Sequence, residues 1–149
     1  MFDPKTSRGY LNNNPGNIDR GQVPWKGEIR DIDLCTNNIQ RIELNSGRFC
    51  VFASAEYGIR AMARNLHAYR DRLGCNTIRD YINRWAPPNE NNTDAYIADV
   101  AATVKIDSDV EISIDDPRVM SAIIHGIIRV ECGGVPYDEA DIMSGIALQ

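Results

Sequence analysis

The spacing of apolar residues changes character near residue 54. From Val23 to Ala53 they come in short runs, Gly27 to Leu34, Ile39 to Leu44 and Arg48 to Ala53, set apart by Thr36-Asn37-Asn38 and Asn45-Ser46-Gly47. That pattern predicts three short strands of a small antiparallel sheet. Beyond Ser54 the period is helical. One helix is expected over 55–73, capped by Ser54, with Ile59, Met62, Ala63, Leu66, Tyr69 and Leu73 inward and Gly74 as its stop. A shorter one over 77–85 turns Ile78, Tyr81, Ile82 and Trp85 inward and ends at Pro87-Pro88. A third, over 94–104, takes its cap from Asn92 or Thr93. After a polar connection over 105–115, Asp116 and Pro117 open a helix with Val119, Ile123, Ile127 and Val130 on one face, stopped by Gly133 and Gly134. Asp138 caps a last helix bearing Ile142, Met143, Ile146 and Leu148. Residues 1–20 hold too many turn formers, above all the run from Asn12 to Asn17, for anything but an ordered loop.

Composition narrows this to a class. A chain of 149 residues, 43% hydrophobic and 25% charged, is the size and make-up of one compact domain, so the expectation is an α+β fold over 1–149, mostly helical, with a small antiparallel sheet near the N-terminus. A net charge of -5 argues against affinity built on nucleic-acid phosphates. No apolar run approaches membrane-spanning length and the first residues lack a signal-peptide core, which predicts a soluble chain made in the cytosol, without membrane insertion. Cys35, Cys50, Cys75 and Cys132 form no CxxC pair and no zinc spacing with His67 or His125, so neither metal nor other cofactor is expected and free thiols are the default. Cys35 and Cys50 could still face each other across a hairpin. Cys132 invites a nucleophile reading through its place beside Glu131, but neither histidine has the spacing of its base.

Glu131 is the candidate that carries chemistry. An acid at the end of an apolar helix, beside a glycine-freed backbone, is partly desolvated, and desolvation raises a carboxyl pKa into the range of a general acid. The competing reading is a solvated glutamate at a helix end. Glu56 and Glu90 are the alternatives: Glu56 in a first helical turn favours the dipole, and Glu90 could hold the proline corner or pair with Arg84. The amides of Asn13, Asn14 and Asn17 can satisfy the backbone of their own loop or bind sugar hydroxyls and acetamido groups. Trp25 is either core or a sugar platform.

Three stretches, Arg8 to Ile18 (RGYLNNNPGNI), Thr77 to Thr93 (TIRDYINRWAPPNENNT, followed by Tyr96-Ile97 and Val100-Ala101) and Ile123 to Tyr137 (IIHGIIRVECGGVPY), with Gly58-Ile59-Arg60-Ala61 between the first two, together resemble phage and prophage virion proteins described as lysozyme-like lytic transglycosylases. The resemblance covers nearly the whole chain. It implies a peptidoglycan-cleaving enzyme acting between N-acetylmuramic acid and N-acetylglucosamine as a transglycosylase or muramidase, virion-associated, or in the bacterial cytoplasm before phage assembly or release. Where the family commonly has His-Glu-Asn-Gly, this chain has Val130-Glu131-Cys132-Gly133, so the acid is kept while both neighbours differ. In similar proteins the acid-bearing helix precedes a small sheet; here the sheet comes first, an order that fits a circularly permuted lysozyme-like domain. On this reading the cleft residues are Asn13, Asn14, Asn17, Trp25, Trp85 and Tyr137, with Arg84 facing an anionic peptide or muramyl group. Asp31, Asp33, Glu43 and Asp138 are available as a second carboxylate. The changed neighbours of Glu131 motivate another class of function, a noncatalytic virion structural protein that binds peptidoglycan or other virion proteins.

Overall fold

A computed structural model describes residues 2–149. Seven α-helices dominate the described residues: α1 (Arg8–Leu11), α2 (Asn38–Ser46), α3 (Ala55–Leu73), α4 (Ile78–Trp85), α5 (Thr93–Val104), α6 (Pro117–Cys132) and α7 (Glu139–Ala147). Two strands, β1 (Glu28–Ile29) and β2 (Val51–Phe52), pair antiparallel with Glu28 opposite Phe52 and Ile29 opposite Val51. The fold is thus α+β, mostly helical, with a small sheet ahead of the long helices.

Helix α6 runs through the middle of the core. Asp116 accepts a hydrogen bond from Arg118 N as its cap, Pro117 follows, and Ile123, Ile124, Ile127 and Ile128 are all fully buried. Pairs three and four residues apart make a broad apolar stripe, wide enough for α5 on one side and α7 on the other. Helix α3 supports this layer with Ile59, Met62 and Leu66, packs along α7, and leads into α4, which turns back toward α5. Completely burying one such Ile or Leu is worth about 1.5–3 kcal/mol, so these two helices supply a large share of the driving force.

Helix ends follow the expected chemistry. Gly74 and Gly133 close α3 and α6 in the left-handed conformation, at φ of 72° and 71°. Asn92 caps α5 by accepting from Ala95 N, and Asp138 with Asp141 forms a capping box on α7. Ser54 stands at the N-cap of α3, as its place in the chain suggests, but makes no side-chain cap bond. The connection over 105–115 is pinned by ion pairs, Arg79 to Asp109 at 2.7 Å and Arg70 to Asp115 at 2.6 Å, and buries Ile114.

The N-terminal third departs from the expected three strands. Ile39 to Leu44 belongs to helix α2, and of Gly27 to Leu34 only Glu28 and Ile29 are strand, because Asp31 caps a 3-10 turn over Ile32–Leu34. Residues 1–20 also contain helix: a 3-10 turn over Pro4–Thr6, then α1. Helix α2 is inside-out. Its inward face is Gln40 and Glu43, 1% and 2% exposed, while Ile42 is 56% exposed. What it packs against explains the inversion. The neighbouring loop offers Leu11 O to Gln40 Nε2 at 2.9 Å, and Asn12 Nδ2 and Phe49 N to the Glu43 carboxylate at 3.0 and 3.2 Å. Buried loop backbone needs polar partners, and this helix supplies them.

The same demand fixes the asparagine run. Asn14, fully buried, donates from Nδ2 to Ile18 O and Cys50 O, and its Oδ1 accepts from Ile18 N. Asn13, at φ 54°, donates to Phe52 O at 3.0 Å. The loop then crosses α3 at Gly58, where any β-carbon would overlap the Asn13 carbonyl oxygen. Residues 12–17 are thereby held between β2 and α3, with Asn17 at their end, facing the C-terminus of α6.

Candidate active site

Glu131 lies in the last turn of α6, one residue before Cys132 and two before the glycine stop. Its two oxygens have separate donors. Asn17 Nδ2 reaches Oε1 at 2.9 Å from 114 residues away, and the Tyr96 hydroxyl of α5 reaches Oε2 at 2.8 Å. Burial raises the Glu131 pKa above its ordinary value of 4.5, while the Asn17 and Tyr96 hydrogen bonds pull the other way and do not cancel it. Tyr96 is only 6% exposed, and burial together with the adjacent carboxylate drives its phenol pKa far up, so it stays protonated.

This carboxyl group opens into a cleft of about 760 Å³. One wall is the loop after Asn17, with Asp19, Val23 and Trp25, continued by Arg48 and Phe49; the other is the end of α4 and the proline corner, with Arg84, Trp85, Glu90 and Asn91. Asn65 and Tyr69, one turn apart on α3, also line it, and Tyr69 meets Trp85 edge-on with ring centroids 6.4 Å apart. Asp19 and Arg48 are joined by a two-pronged ion pair at 2.6 and 3.1 Å. The cleft therefore presents aromatic faces, amides and one raised carboxyl group, a combination suited to a polar, ring-bearing polymer.

Of the residues the sequence put forward, Asn17, Trp25, Arg84, Trp85, Glu90 and Glu131 line this cleft. The others do not. Asn13 and Asn14 spend their amides on backbone carbonyls of the loop and of the β2 segment, and Tyr137 packs on Tyr10 at 5.6 Å outside the cleft. Glu56 is exposed on the first turn of α3, away from the cleft lining, as its dipole role suggested. Glu90 lines the cleft but is exposed and makes no ion pair with Arg84 among the described residues. None of the four second-carboxylate candidates faces the cleft: Asp31 and Asp138 are helix caps, Asp33 is exposed on the 3-10 turn, and Glu43 is sealed under α2. All four cysteines are free and buried, which also removes the pairing of Cys35 with Cys50. Cys132 is 1% exposed and burial raises its thiol pKa, the opposite of what a nucleophile needs.

Tyr96 is the partner of Glu131 that the residue pattern failed to single out. Its signal is present all the same: it shares the buried face of α5 with Ile97 and Val100, and a phenol on an apolar face needs a partner for its hydroxyl.

No protein-family model matches the chain. A relative does: Protein P5 of Pseudoalteromonas phage PM2 is 33% identical over 144 residues, covering 95% of this chain and 81% of that protein. The chain belongs to the Protein P5 family. That relative is a bacteriophage protein whose name states no activity. The match covers 95% of the chain, so the family connection concerns nearly the whole fold, and the chemistry has to be argued from the cleft.

Proposed function

We propose that this member of the Protein P5 family cleaves the glycan strands of peptidoglycan between N-acetylmuramic acid and N-acetylglucosamine, as a virion-associated lytic transglycosylase or lysozyme-type muramidase with Glu131 as the general acid. The observation that carries this reading is the raised carboxyl group of Glu131, held by Asn17 and Tyr96 at the edge of a cleft lined by Trp25, Tyr69 and Trp85. A group that keeps its proton to a higher pH than an ordinary glutamate is better placed to protonate a glycosidic oxygen. Two fixed hydrogen bonds hold its orientation, which is what an acid acting on one defined bond requires. The sheet-before-helix order, with Glu131 facing the cleft beside the sheet end of the molecule, supports a permuted lysozyme-like arrangement.

In the transglycosylase route the Glu131 proton passes to the glycosidic oxygen as the bond from muramic C1 to that oxygen breaks, and the N-acetylglucosamine chain leaves with a free hydroxyl. The Glu131 carboxylate then takes the proton of the muramic C6 hydroxyl, whose oxygen closes onto C1. One carboxyl group serves both steps, and water is not consumed. A muramidase route would need a second carboxylate to support the oxocarbenium-like state or activate water. The other carboxylates lining the cleft are Asp19, tied to Arg48, and the solvated Glu90. This favours the single-acid route.

Incubation with purified peptidoglycan, followed by mass spectrometry of the soluble fragments, tests the proposal. Anhydromuropeptides are expected from the parent and not from Glu131→Gln. New reducing ends would instead mean a muramidase. Intact glycan would overturn the enzymatic reading and leave a peptidoglycan-binding virion component.

A further inference from the structure

The charges around the cleft are not balanced evenly. Arg48 is neutralised by Asp19. Arg84, exposed in the last turn of α4 and beside Trp85, makes no ion pair and no side-chain hydrogen bond among the described residues. Burial raises the pKa of the Tyr69 phenol in the cleft lining, and the nearby Arg84 charge opposes that rise only in part. Asn65, one helical turn from Tyr69, likewise turns a half-buried amide to the cleft without a protein partner. The cleft lining carries Asp19, Glu90 and Glu131 beside Arg48 and Arg84, and among the described residues Arg84 is the guanidinium of that set held by no carboxylate.

We infer that Arg84 is a specificity residue that selects glycan carrying a carboxylate, binding that group at the α4 end of the cleft while Glu131 acts on the glycosidic bond. The inference rests on the cleft being the glycan-cleaving site. A guanidinium fork matches a carboxylate in geometry as well as charge, and Asn65 can donate to the adjoining amide or acetamido oxygen. In peptidoglycan the carboxylate comes either from the stem peptide or from the lactyl group of a muramic residue that has lost its peptide.

Three substrates separate these sources. Native sacculi carry the peptide carboxylates; sacculi whose carboxylates have been amidated with carbodiimide and ammonia keep glycan and peptide but lose the charge; strands stripped by an amidase carry lactyl carboxylates alone. The parent is expected to release fragments from native sacculi about fivefold faster than from amidated ones, the size of a solvent-exposed ion pair, and the preference shrinks in high salt. Arg84→Gln is expected to cut native and amidated sacculi at the same rate, and Arg84→Lys to regain part of the difference. On stripped strands, sensitivity to Arg84→Gln assigns the lactyl carboxylate, and indifference assigns the peptide. Equal discrimination by parent and Arg84→Gln would overturn the inference. Co-sedimentation with the same three materials is read in parallel. If the parent cuts nothing but binds native over amidated sacculi through Arg84, the catalytic proposal fails and the carboxylate site stands; if it neither cuts nor binds them, both fall.

Discussion

Replacing Tyr96 by Phe removes one oxygen atom and keeps the ring that fills the buried face of α5. The lost interaction is the 2.8 Å donation to Glu131 Oε2. This bond favours the charged carboxylate, so without it the Glu131 pKa rises further above its ordinary value. A hydrogen bond to a charged group is worth about 1.5–3 kcal/mol. Taking the lower figure, because Asn17 still holds Oε1, the protonation equilibrium moves a little over tenfold toward the acid, since about 1.36 kcal/mol is a factor of ten. Glu131 must be protonated to act, so activity is lost as pH rises through its pKa. The alkaline limb of kcat/KM should therefore move up by about one pH unit in Tyr96→Phe. Release of soluble fragments from peptidoglycan at a series of pH values measures the limb. Stability offers an independent reading: the variant should be more destabilised above the folded-state pKa of Glu131, where the carboxylate misses its donor, than below the ordinary 4.5, where the group is protonated. An alkaline limb that stays put or moves down would refute the reasoning.

Glu131→Gln should abolish cleavage and alter the dependence of stability on pH. The folded-state pKa of Glu131 is raised, so its contribution is fully present below the ordinary value of 4.5 and is lost as pH rises through the folded value. Denaturant titrations should show that loss in the parent and a flatter profile in the variant, which at neutral pH is at least as stable. Asn14→Ala strands Ile18 N and Cys50 O, while Ile18 O keeps the hydrogen bond from Cys50 N, and should cost about 2 kcal/mol or more, read from the denaturation midpoint. Gly58→Ala drives a methyl group into the Asn13 carbonyl and should destabilise by about 2 kcal/mol or more, since backbone rather than a flexible side chain must yield. Thiol-reactive dyes should label none of the four cysteines in the native protein at neutral pH and all four after unfolding.

The long helices were legible in the sequence because two independent signals agree there. In α6 the apolar spacing, the Asp116-Pro117 start and the Gly133 stop all point to one segment, and the structure keeps those ends. The apolar residues of α2 mark no inward face: Ile42 is exposed and Ile39 and Leu44 are half-buried, so their spacing suggests a strand. The inward residues are polar, chosen by a loop whose backbone needs hydrogen bonds, and no hydrophobic pattern reveals a partner made of backbone. The same limit separates Asn13 and Asn14 from Asn17. They are one residue type within five positions, and only the folded loop decides that two serve backbone carbonyls while the third reaches the acid. Glu131 was legible through its place at the end of an apolar helix, whereas Tyr96 was hidden in an ordinary amphipathic one.

These polar clamps and the site are one construction. Asn17 contacts Glu131 from a loop that Asn14 ties to β2, that Asn12 ties to the buried Glu43 of α2, and that lies against α3 where Gly58 lets it pass. The apolar core fixes α5 and α6, and with them Tyr96 and Glu131; the buried polar network fixes the loop, and with it Asn17. The acid thus receives one hydrogen bond from each half of the fold. Loosening the loop far from the cleft, as in Gly58→Ala, should then act on Glu131 through Asn17 alone. Its effect on the alkaline limb should have the same sign as that of Tyr96→Phe, although no residue lining the cleft has changed. A Gly58→Ala variant that loses stability yet keeps the parent's pH profile would show that Asn17 is held at the acid independently of the loop.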